Sequence, residues 1–70
     1  MSSNMNGWCI LGKSYTGTWY LAYGSNLSQE EAEIKAKQWD RDGWVDVVAV
    51  PYIKTTMDTI WYALAKGFIK

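Results

Sequence analysis

Eight residues near the start of the chain, Gly7-Trp8-Cys9-Ile10-Leu11-Gly12-Lys13-Ser14, satisfy the phosphate-binding pattern G-x-x-x-x-G-K-S at every specified position. That chemistry needs a loop between a strand and a helix, whose backbone N–H groups wrap the phosphates while the lysine reaches the terminal ones. Here the intervening Trp-Cys-Ile-Leu is a strand-forming run, no strand precedes Gly7, and residues 15–23 read as turn and strand. The match is therefore expected to be fortuitous. Asp40-Arg41-Asp42-Gly43 has the composition of a calcium loop, but glycine falls at the fourth place instead of the sixth and no bidentate glutamate follows. Its charges read as a solvated helix end. Paired carboxylates for glycoside chemistry would need a cleft, which so short a chain does not promise.

Other chemistries fall to composition. The 70 residues include no histidine, so there is no imidazole base, no Ser-His or Cys-His pair and no histidine metal ligand. One cysteine, Cys9, excludes an intramolecular disulfide and the usual structural zinc sites. The expectation is a non-enzymatic protein with no cofactor and no metal. Seven basic and seven acidic side chains balance to zero, without the cationic excess that most nucleic-acid binders carry. What is abundant is aromatic surface, with five Trp and five Tyr. The first residues lack a basic region and an apolar core, and the apolar runs 19–23 and 47–52 are too short to span a bilayer. Asn26-Leu27-Ser28 matches a glycosylation sequon but reads as helix-capping chemistry. The expected location is the cytoplasm, the host's if the chain is phage-encoded.

The elements that must position these residues follow from pattern. Residues 1–6 read as a disordered tail and 7–70 as a single domain. Residues 8–11 and 18–23 form a hairpin around the turn cluster 13–17. Ser28-Gln29-Glu30-Glu31 is a capping box that opens a helix over 28–42, with Ala32, Ala36 and Trp39 on one face and Gly43 as its stop. Residues 44–53 are dense in β-branched types and apolar on both faces through their middle, as in a strand covered on both sides. Thr55 or Thr56 then caps a second helix, whose Met57, Ile60, Trp61, Leu64 and Phe68 form one apolar stripe. The order β-β-α-β-α predicts an α+β fold, a three-stranded antiparallel sheet of order 2-1-3 packed with one or two helices.

A four-residue hairpin loop at 14–17 would pair Lys13 with Thr18 and Gly12 with Trp19. Trp8, Ile10, Trp19, Leu21 and Tyr23 then share a face with Val45, Val47, Ala49 and Ile53, toward the capped helix. Leu11, Tyr20, Val48, Val50 and Tyr52 share the other, with Trp61 near its rim. That second face is too apolar for water, so either the C-terminal helix folds back and makes it core, or another molecule covers it. In the latter case it is expected to be a protein-binding patch, filled by a second copy in a homodimer or by a target protein. The expected function is a small protein-binding module, a stoichiometric inhibitor of a host enzyme or defence complex that acts by steric occlusion. In general character the chain is similar to the short proteins that bacteriophages and mobile elements direct against host machinery.

Two alternatives stay open. One is single-stranded nucleic-acid binding by stacking on Tyr20, Tyr52 or Trp44, with Lys13, Lys54, Lys66 and Lys70 clustered nearby. The other is a DNA-mimicking acidic surface of Glu30, Glu31, Glu33, Asp40, Asp42 and Asp46. Residues 19–50 also resemble the strand-helix-strand half of SPOR-type peptidoglycan-binding domains. The remainder does not repeat that half, and no residue roles carry over.

Overall fold

The computed structural model describes residues 7–39 and 43–70; the expected N-terminal tail and the Asp40–Arg41–Asp42 run lie outside the described residues. The elements are β1 (Trp8–Lys13), β2 (Trp19–Leu27), α1 (Gln29–Gln38), β3 (Asp46–Pro51) and α2 (Thr56–Lys66). They form the expected α+β fold, with one antiparallel sheet of order β2-β1-β3.

Side-chain alternation along β1 divides the interior into two cores. Cys9 and Leu11 pack with Val50, Ala63 and Ile69, and Trp19, Val48, Tyr52 and Ile60 close around them. Ile10 points the other way, opposite Tyr23 on β2 and Ala49 on β3. Tyr23 in turn meets Trp39 at the end of α1, with 5.9 Å between ring centroids. One helix therefore lies on each side of the sheet, and the molecule is three layers deep.

Several boundaries differ from the sequence reading, among them the end of β2, which runs through Gly24, Ser25 and Asn26 to Leu27 instead of stopping at Tyr23. The hairpin loop has five residues: Ser14 N–H donates to Thr18 C=O at 2.8 Å, and Lys13 sits opposite Trp19. This one-residue slip inverts the first part of β2, moving Trp19 and Leu21 to the α2 side and Tyr20 to the α1 side. A bulge at Ala22 inverts it again, which restores Tyr23 to the α1 side. Helix α1 ends at Gln38, because Trp39 turns to an extended conformation as its ring meets Tyr23. Gly43, at φ 89°, thus belongs to the connection toward β3 and is not the helix stop. The third strand is limited to Asp46–Pro51.

Both helices are held strongly at their ends. Ser28 Oγ accepts the Glu31 N–H and a Glu31 carboxylate oxygen accepts the Ser28 N–H, each at 3.1 Å. In α2, Thr55 Oγ1 accepts the Asp58 N–H at 3.1 Å. At its other end Gly67 adopts a left-handed φ of 84°, so that Phe68 N–H reaches Ala63 C=O at 2.9 Å. The fully buried Thr59 joins α2 to the chain leaving β3: its hydroxyl donates to Thr55 C=O at 2.8 Å and accepts Ile53 N–H at 2.9 Å.

Ala32 is the one fully buried side chain of α1, so this helix depends on its cap more than on an apolar face. Ser28→Ala should cost about 1 kcal/mol and lower the thermal midpoint by roughly 4–8 °C. Ser28→Asp should leave the midpoint nearly unchanged. Thermal denaturation followed by circular dichroism measures both.

Candidate functional site

The phosphate-loop pattern is distributed over a strand and a turn. Its variable residues Trp8 to Leu11 and its Gly12-Lys13 all lie in β1, with backbone groups engaged in the sheet. Gly12 is required for another reason. The Trp44 indole lies flat against it, and a Cβ built there would fall 2.5 Å from the ring. Tyr20 packs beside the same indole, 6.0 Å between centroids. Nothing in the sequence pairs Gly12 with Trp44, because they lie 32 positions apart. Cys9, the thiol a nucleophilic mechanism would need, is fully buried, and desolvation pushes its pKa up from 9.0 to about 11.

The structure does not assemble the expected apolar patch as a surface. Leu11 and Val50 are fully buried, and Val48 and Tyr52 pack around them beneath α2. Tyr20 lies on the opposite face through the hairpin slip, and Trp61 is on the outer side of α2. The aromatic platform is divided in the same way, with Tyr52 on the α2 side and Tyr20 and Trp44 on the α1 side. Of the lysines grouped with it, Lys13 lies over Trp19 and Lys66 over Tyr62, with amines 5.9 and 5.8 Å from the ring centroids; Lys54 and Lys70 are exposed.

The acidic side chains are also engaged locally. Glu31 completes the capping box and Glu33 accepts from Gln29 Nε2 at 3.1 Å. Glu30 is exposed in the first turn of α1, where the helix dipole favours it. Asp46 accepts its neighbour's Val47 N–H at 2.9 Å. Asp40 and Asp42 lie outside the described residues. Lys35 and Lys37 follow in the last turn of α1, so no continuous acidic ladder forms there. Among the described residues no group of three His, Cys, Asp or Glu could hold a metal ion, and no helix is long and apolar enough to cross a membrane.

What the fold does present is one flank of α2. The apolar stripe of α2 is divided. Thr59, Ile60 and Ala63 turn inward, while Met57, Trp61 and Leu64 stand 63, 65 and 40% exposed. The cause is the bond from Ile53 N–H to the Thr59 hydroxyl, which fixes the helix rotation, while the small side chains at 59 and 63 let the helix sit close to the sheet. Phe68 is carried off the stripe by the left-handed turn at Gly67 and packs on Tyr62 and Trp8, at 6.5 and 6.1 Å between centroids. The sequence signal for this flank was the stripe itself, and only its direction was hidden. On the α1 side a groove of about 300 Å³ lies between α1 and β2, lined by Tyr23, Leu27, Glu31, Ile34, Lys35 and Gln38.

Two tests follow from the β1 residues. Gly12→Ala should destabilise the fold by about 1–3 kcal/mol through overpacking, and calorimetry with ATP should give no binding heat for the native chain or for Lys13→Ala. The second concerns Cys9. Because folding raises its pKa, the unfolded chain releases the proton first. Stability is then intact below pH 9 and falls between pH 9 and about 11, by at most about 1.4 kcal/mol per pH unit. Thermal melts across that window should show a shallower fall in Cys9→Ala.

No family model, no curated protein and no solved structure matches this chain.

Proposed function

We propose that this chain is a small, non-enzymatic protein-binding module that acts as a stoichiometric inhibitor. The α2 flank seats in an apolar groove of a host enzyme or defence complex and occludes it. The location proposed for this encounter is the cytoplasm. The observation that carries the reading is the exposed triad Met57, Trp61 and Leu64, large apolar side chains at i, i+4 and i+7 on a helix capped at both ends. Helix-in-groove recognition uses this spacing. Tryptophan is also the residue type most enriched among side chains that dominate binding energy. A rigid helix loses little conformational freedom on docking, which favours a high affinity from a small area.

The experiment compares affinity capture by the native chain and by Trp61→Glu from a lysate of the source cell. A target should be retained by the first and lost by the second. Trp61→Ala should weaken its binding by about 2 kcal/mol or more, roughly 30-fold. Its thermal midpoint should stay within about 2 °C, since an exposed side chain contributes little to the fold. Titration should then give one-to-one stoichiometry and loss of the target's activity. Capture unaffected by Trp61→Glu would overturn the assignment of the α2 flank.

A further inference from the structure

The two edges of the sheet are treated differently by the sequence. Alternation of hydrogen-bonded pairs decides which backbone groups face outward. On β3, Tyr52 N–H donates to Gly7 C=O, which continues the β1–β3 register. Every second residue from there pairs inward, leaving Val47, Ala49 and Pro51 facing out. The Val47 N–H is taken by the Asp46 carboxylate at 2.9 Å, and Pro51 has no N–H. This edge is closed by the devices that natural sheets use against edge pairing, a charge and a proline.

On β2 the Ser14–Thr18 bond sets the phase. Gly12 and Tyr20 form a hydrogen-bonded pair, so the N–H and C=O groups of Trp19 and Leu21 point away from β1. No other backbone segment or side chain among the described residues takes them up. The nine residues of β2, Trp-Tyr-Leu-Ala-Tyr-Gly-Ser-Asn-Leu, contain no charge and no proline. Tyr20 and Leu21 are 49 and 37% exposed. The strand is open, apolar and unguarded.

We infer that β2 pairs with β2 of a second copy, antiparallel about a twofold axis at Tyr20. Trp19 of each copy faces Leu21 of the other, and these two pairs exchange four N–H···O=C bonds. Tyr20 faces its own counterpart at the close, non-hydrogen-bonded position, where aromatic cross-strand pairs are favourable. The neutral segment repels nothing when set against itself. The bulge at Ala22 ends the flat part of the edge and the closed β3 edge offers no second site. Assembly therefore stops at two, with a six-stranded sheet. This interface is separate from the α2 flank, and either can fail without the other.

The test uses like charges at the axis. The native chain should sediment at twice the monomer mass of 8.0 kDa at high micromolar concentration. Tyr20→Lys and Tyr20→Glu should each be monomeric, since identical charges then face one another. An equimolar mixture of the two should recover the dimer, which a misfolded variant could not do. Independently of any variant, amide exchange at Trp19 and Leu21 should slow as the native chain is concentrated, while exchange at Ala49 stays constant. A native chain monomeric at all concentrations, or charge variants that associate as it does, would overturn the proposal. In the former case the edge is left for a strand of another protein.

Discussion

A three-stranded sheet has one strand with neighbours on both sides, and here that strand must also be covered on both faces. β1 carries this double demand. Its Cys9, Ile10 and Leu11 are fully buried although they alternate between two layers. Each layer is too small to stand alone, because a chain this short buries a limited fraction of its surface. The cost of a polar group at these positions is correspondingly high. This explains why the one thiol is held neutral in the interior and why the phosphate-loop pattern is occupied by sheet hydrogen bonds.

How the two helices reach β1 sets the character of the surface. α1 offers Ala32 as its fully buried contact and is fixed by side chains at its ends. α2 sits close through Thr59 and Ala63, and its large side chains are displaced to the flank. A helix that buried Trp61 would have to stand farther from the sheet and lose the bond that the Thr59 hydroxyl accepts from Ile53 N–H. Close packing through small residues and exposure of large ones are thus two results of one rotation.

Local chemistry was legible in the sequence and long-range phase was not. Ser28 and Glu31 are three residues apart, so the cap follows from identity and spacing alone. The strand order and the two-sided burial of β3 were also accessible, because each rests on a run of residue types. The hairpin loop differed by one residue, and that was enough to move Tyr20 from one layer to the other. Loops of four and five residues are both compatible with Lys13-Ser14-Tyr15-Thr16-Gly17-Thr18, and the choice depends on how Trp19 packs beneath α2. The outward turn of the Met57 stripe has the same origin. A helical period identifies a face, but the small residues opposite it decide which face meets the sheet.

The contact between Trp44 and Gly12 bears on how this chain can diverge. A strand position with an indole flat against its backbone admits no side chain, so glycine there is tied to an aromatic far along the sequence. Lys13 and Ser14 carry no such tie. In a lineage descending from this protein, Lys13 and Ser14 would drift while positions 12 and 44 change only in step. The apparent nucleotide signature would dissolve and the fold would remain. The pair that persisted would be one that no contiguous motif describes, and distant kin would be recognisable by that covariation.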